Sequence, residues 1–175
     1  MNNKLVDLKK YSFYNYSKSY PKLFLYEKKK LMRILLEAKI EHIGSTSVKN
    51  LGGKGIIDVM ISVKKGGIKE AVKLMQKQGY ILKHCISKDR KYLEKHYKLR
   101  RVHLHITTHD HPEWKRVIAF RDYLRKNKDR AEEYAKVKKK AVEYAKGNAK
   151  KYKVYKKKFI DRLEKEALDK SYSRV

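Results

Sequence analysis

The sequence predicts an α+β fold, a mixed β-sheet flanked by helices with a C-terminal helical segment packed on it. Three observations lead there. Short runs rich in β-branched residues, bounded by Gly-rich or polar turns, fill the stretch from Lys39 to Thr107. A helical period precedes them and another interrupts them. Past Asp110 the pattern is wholly helical, and strands first with helices last argue for one α+β unit.

Each element follows from local spacing. Residues up to Pro21 mix Tyr, Ser and Lys around Tyr11-Ser12-Phe13-Tyr14 and read as a leading segment packed by its aromatics. From Lys22 to about Glu37 the apolar positions Leu23, Leu31, Ile34 and Leu35 recur at helical spacing. Lys39-Ile40-Glu41-His42-Ile43 alternates as a strand does and stops at Gly44. A Ser-Thr-Ser turn and a glycine-rich loop follow. Ile56 to Val63 is nearly continuous apolar sequence, as in a central strand covered on both faces. Gly66-Gly67 opens a helix over Ile68 to Gln78, closed by Gly79. Strands are expected at Tyr80 to Ile86, Lys91 to Tyr97 and Arg101 to Thr107. Pro112 opens a helix, and two more run over about Lys128 to Lys146 and Lys151 to Leu168, parted by Gly147-Asn148. No composition shift marks a boundary, so 1–175 is expected to be one domain, with a sheet core over about 22–108 and a helical part over about 111–170.

Composition narrows the function classes. With 175 residues the chain can bury a substantial core. Cys85 is the only cysteine, which excludes an internal disulfide and fits a reducing compartment; in its strand it reads as a small apolar side chain. The Met1-Asn2-Asn3-Lys4 start lacks a signal-peptide apolar stretch, and no window is long enough to cross a bilayer. A cytoplasmic protein with no membrane partner is expected. The formal net charge of +28 attracts phosphate-rich partners, though scattered lysines also arise from proteome bias or a hot habitat.

Chemistry concentrates where the first strand ends. Gly44 lets the backbone approach a ligand, the N–H groups of the turn can point at phosphate oxygens, and Ser45, Thr46 and Ser47 add hydroxyls. Such a tripeptide also serves as an ordinary helix cap. Thirteen residues after Ser45, Asp58 interrupts an apolar strand. A carboxylate there is costly to bury unless it meets a metal, a cation or several donors.

Glu41-His42-Ile43-Gly44-Ser45-Thr46-Ser47-Val48, followed by Leu51, Lys54 and Ile56-Ile57-Asp58, resembles the signature of the GrpB family, within the nucleotidyltransferase superfamily. The likeness continues through Gly79-Tyr80, Arg90, His103-Leu104-His105, Phe120 to Arg125, Tyr134, Lys138, Tyr155 and Lys158 to Ile160. It implies a nucleotidyltransferase-like sheet. Its turn would hold phosphates, and acids on the second strand would hold Mg²⁺ or Mn²⁺ for nucleotidyl or phosphoryl transfer. Lys49-Asn50 replaces the family's usual Pro-Gly, and Gly55 its usual Pro. Met60 stands where the second acid is expected, which argues against a two-metal site.

The remaining candidates are weighed against structural roles. His103 and His105 share one strand face and with Asp58 would form a catalytic or metal-binding set, completed by Glu41 or His42. Lys54 and Arg90 are phosphate partners or structural counter-ions to Asp58. His109, Asp110, His111 and Glu113 read as a loop leading into a helix cap rather than a metal site. Arg121 and Asp122 read as a salt-bridge network tying the first late helix to the sheet. Tyrosines and lysines interleaved in the C-terminal helices, such as Tyr152, Lys153, Tyr155 and Lys156, suit either an RNA or DNA partner or a solvated lysine face. The expected ligand is a nucleotide or other phosphorylated molecule with a divalent metal. The alternative is a non-catalytic RNA- or DNA-binding module on the same fold.

Overall fold

The computed structural model describes residues 12–98 and 100–172. Helix α1 spans Tyr20–Ile34 and strand β1 Lys39–Ile43, with a 3-10 turn at Ser45–Ser47 before strand β2, Ile56–Val63. Helix α2 covers Ile68–Lys77, and strands β3, β4 and β5 cover Ile81–Ser87, Arg90–Tyr97 and Arg100–Thr108. Helices α3, α4 and α5 cover Pro112–Lys126, Lys128–Ala145 and Ala149–Tyr172. The five strands form a mixed sheet in the order β1-β2-β5-β4-β3, in which only the β2–β5 pair is parallel.

The expected elements are all present, and the shifts at their ends have local causes. Helix α1 starts at Tyr20, two residues before its apolar period, because Pro21 in the first turn presets helical φ. It ends at Ile34, where Leu35 turns to φ −112° and ψ 73°. Helix α5 begins early because the Asn148 side chain accepts the Lys151 amide at 3.0 Å. Tyr11 lies outside the described residues, but Tyr14 is paired through two backbone hydrogen bonds to Gly53. Cys85 lies in β3 as expected, and its side chain lies outside the described residues.

Alternation along the strands sorts the sheet into two unlike faces. Ile57, Val59 and Ile61 of β2 and Val102, Leu104 and Ile106 of β5 are fully buried beneath α1 and α2. Each such side chain contributes about 1.5–3 kcal/mol. The opposite face carries Asp58 on β2 and His103 and His105 on β5, and α3 to α5 approach from this side. A second core of Val48, Leu51, Tyr123, Leu124, Tyr134 and Leu163 fastens the loop after the turn to these helices. This second face is thus roofed by C-terminal helices and floored by the sheet. No described helix is long and apolar enough to cross a membrane.

Candidate functional site

The bend after β1 and the acid of β2 meet. Gly44 has φ +69°, and a Cβ there would sit 2.4 Å from Asp58 Oδ2, so the carboxylate lies directly against the glycine. The conformation and the contact both require glycine. Register places Asp58 beside Ile43 on one side and His103 on the other. His103 Nδ1 and His105 Nε2 both reach Asp58 Oδ1, at 3.2 and 3.6 Å. Tyr92 packs against both imidazoles at 5.2 Å between ring centres. Burial by itself would raise the Asp58 carboxyl, but the hydrogen bonds and charges of His103 and His105 outweigh it and hold the group well below the usual carboxylate range. With 23% of its side chain exposed, Asp58 stays open to a ligand.

The turn divides its labour. The Thr46 hydroxyl donates to Ile56 O at 2.9 Å and sits 3.0 Å from His42 Nε2. Because that single hydroxyl proton is spent on Ile56, His42 must donate from Nε2. His42 is buried and stacked on Phe24, and burial lowers its pKa to about 4. The Ser47 hydroxyl donates to Gly44 O at 2.6 Å. Thr46 and Ser47 therefore spend their hydroxyl protons on backbone carbonyls, not on the phosphate expected from sequence, and His42, expected to complete a metal set, spends its Nε2 on Thr46. Ser45 remains: its Oγ lies 2.4 Å from where a Cβ on Gly53 would be. The amides of Ser45 and Thr46, at the start of the turn, have no partner within it.

Two further expectations are corrected. Glu41 is bound by Arg121 Nη1 at 2.6 Å, and Arg121 also grips Asp122 and His42 O, so Glu41 is committed to fastening α3 to β1. That network is the structural role expected of Arg121 and Asp122. Arg90 pairs with Glu113 at 2.7 Å and stands opposite Thr107, toward the far end of the sheet from Asp58. It braces α3 rather than lining the turn. His111 caps α3, its Nδ1 accepting the Glu113 amide at 3.1 Å, as the loop-and-cap reading expects. Among the described residues no group of three or more His, Cys, Asp or Glu side chains is disposed to hold a metal ion.

Lys54 was expected as a phosphate partner or counter-ion of Asp58; what the sequence reading passed over is that Lys138 and Lys156 join it. Lys138 of α4 is 3% exposed, donates to Gly52 O, and has Nζ 3.1 Å from the same Cβ point on Gly53 that Ser45 approaches. Lys54 and Lys156 both reach the ring of Tyr152, at 5.7 and 4.4 Å from its centre. Burial lowers the Lys156 ammonium to about 8, with repulsion from Lys54 adding to it. Lys54 is lowered by burial, and Lys138 well below its ordinary value by burial and the charge of Lys156. The charge of Asp58 acts on all three in the opposite direction. Arg101, two residues before His103 on the same strand face, buries Nε and Nη2 without a hydrogen-bond partner. The sequence did hold a signal for Lys138. It falls inside the apolar stripe Ala131, Tyr134, Ala141, Ala145, where a solvated lysine has no place.

Chemically the arrangement offers one carboxylate backed by two imidazoles, facing cations that burial has made costly to keep charged. A multivalent anion would relieve that cost.

The chain matches the GrpB protein family over residues 11–166. It is 38% identical over 103 residues to the UPF0157 protein YqkA of Bacillus subtilis, covering 57% of this chain and only 30% of that protein's length. The UPF0157 protein BH1888 of Halalkalibacterium halodurans is 32% identical over 134 residues, 74% of this chain and 68% of that protein. The crystal structure of the conserved protein GrpB from Enterococcus faecalis superposes with a TM-score of 0.83 at 34% identity, covering 92% of this chain and 99% of that one. A chain of the GLD-2/RNP-8 complex, of nucleotidyltransferase fold, superposes with a TM-score of 0.52 at 11% identity, over 73% of this chain and 55% of that one, a likeness of fold alone. The chain belongs to the GrpB family and carries a nucleotidyltransferase-like fold.

Proposed function

We propose that the cleft between the sheet and the C-terminal helices binds a nucleotide or other phosphorylated ligand, in the service of phosphoryl or nucleotidyl transfer. The supporting observation is that Lys138 and Ser45 meet at Gly53, Lys54 and Lys156 flank the ring of Tyr152, and the charge of Asp58 reaches all three lysines. Phosphate oxygens placed there would meet ammonium groups and a hydroxyl at once. The imidazole of His105, its Nε2 turned to Asp58 Oδ1, is positioned to take the proton of an acceptor hydroxyl at its other nitrogen, and the Asp58 carboxylate would steady the imidazolium that forms. A pair of Mg²⁺ ions, as the fold implies, does not fit these residues. Mg²⁺ asks for several oxygen ligands, while the site offers one carboxylate, and Met60 fills the second acid's place fully buried. Lysines supply the positive charge instead.

The test is calorimetric titration of adenosine triphosphate in EDTA. Binding is expected without added metal, weakened at least about tenfold by Lys138→Met or Lys54→Met. Asp58→Asn removes the nearest negative charge and is expected to tighten this metal-free binding. If triphosphate binds only when Mg²⁺ or Mn²⁺ is supplied, and Asp58→Asn abolishes it, the lysine-based reading fails.

A further inference from the structure

Away from Asp58 the surface holds further concavities. Two of them, about 400 Å³ each, lie on the outer side of the loop that carries the turn and share Tyr16 and Asn50. They form one groove between the segment 13–16, the loop 47–52 and helix α4. Its position is fixed on both sides. The Tyr14–Gly53 backbone pair holds the leading segment, and Arg125 Nε donates to Ser47 O at 3.0 Å. Ser47 and Gly52 line the groove, whereas Ser45 and Lys138 crowd Gly53 on the inner side. The two sites are back to back across one loop.

The lining has a consistent chemistry. Lys49, Arg125, Lys128, Lys136 and Lys139 contribute five cations, and Glu132 is the one acid among the described lining residues. Asp122, 3.5 Å from Arg125 Nη1, offsets part of that single charge. Lys49, Lys128, Lys136 and Lys139 are solvent-exposed, so their charges are available. From Lys128 to Lys139, α4 advances roughly 16 Å, which spreads the charge along a line rather than at a point. At the junction stands the half-buried ring of Tyr16, fixed edge to face against Tyr20 at 5.5 Å. Exposed Asn15 and Asn50 flank it with amide donors and acceptors. A line of cations beside an aromatic ring and paired amides suits a chain that alternates phosphates with flat heterocycles. In a duplex the base faces are stacked away, whereas a single strand presents them.

We propose that this groove binds a single-stranded polynucleotide, with phosphates along Lys128, Lys136 and Lys139 and a base against Tyr16. The site is independent of the nucleotide reading of the Asp58 cleft. It also places nucleic-acid contact on α4 and the loop, not on the lysines of α5.

The experiment is fluorescence anisotropy with a labelled single-stranded oligoribonucleotide of about a dozen nucleotides, titrated over a range of salt. A Lys128→Glu, Lys136→Glu, Lys139→Glu triple variant is expected to lose at least about tenfold in affinity and to flatten the log–log salt slope by about 2. Tyr16→Ala is expected to cost roughly five- to a hundred-fold while Tyr16→Phe retains binding. A Lys150→Glu, Lys151→Glu, Lys158→Glu triple variant of exposed α5 lysines should bind as the parent does. Melting temperatures check that each variant is folded. Equal loss from the two triple variants would mean diffuse charge and overturn the proposal. So would equal affinity for a duplex, or displacement of the oligonucleotide by a polyglutamate peptide or anionic vesicles at matched charge. Failure of triphosphate binding with this binding intact would sink only the reading of the Asp58 cleft.

Discussion

Lys156 gives the cleft a proton signature that can be worked out in advance. An exposed lysine titrates near 10.4, whereas Lys156 is lowered to about 8, first by burial and then by the nearby charge of Lys54. Between those pH values the unfolded chain binds more protons than the folded one, so this group makes the fold more stable as pH rises through that window. Ligand binding runs the other way. A triphosphate seated among the lysines favours the ammonium form, and its own phosphates are fully ionised well below pH 8 because the last proton leaves near pH 6. Binding at pH 8 should therefore draw about half a proton onto Lys156, and at pH 9 about nine-tenths. Affinity should fall up to about tenfold per pH unit above 8 from this residue alone. Lys54 and Lys138, lowered for the same reason, steepen the fall. The assay is calorimetry in EDTA at about pH 9 in two buffers of different ionisation enthalpy, whose difference in heat counts protons. Lys156→Arg, which cannot deprotonate, should abolish that residue's share of the uptake while keeping affinity. Proton release, or an affinity unchanged between about pH 7.5 and 9.5, would show that these lysines do not face the ligand.

Two other outcomes concern the scaffold of the site. Gly44→Ala drives a methyl to 2.4 Å from Asp58 Oδ2 at φ +69°, and Gly53→Ala drives one to 2.4 Å from Ser45 Oγ. Each should abolish triphosphate binding, and Gly44→Ala should lower urea-unfolding stability by about 1–3 kcal/mol. His42 is buried neutral, its pKa lowered to about 4 by burial, against about 6.5 when unfolded. The unfolded chain takes up its proton first as pH falls, so stability should drop on the order of 3 kcal/mol from pH 6.5 to 4 on its account. His42→Gln should flatten unfolding free energy against pH over that interval; an unchanged slope would place the acid sensitivity elsewhere.

Sequence determined the elements and the place of the candidate site, because both are written in local chemistry. Ile56 to Val63 could only be a buried strand, and an acid within it had to be answered by polar neighbours. Gly44 before Ser45 announced a bend whose backbone can come close to a ligand, and the alternation of His103 and His105 put both on one face. Tertiary structure decided which candidates are spent. Whether Glu41, Thr46 or Ser47 faces a ligand depends on partners up to eighty residues away in the chain, such as Arg121 for Glu41, and spacing carries no record of them. It also decided that the positive charge in the cleft comes from Lys138 and Lys156, brought over the sheet by helices that begin more than sixty residues after Asp58. A lysine declares its charge in the sequence, but whether that charge meets water or a buried carboxylate is settled only when its helix packs.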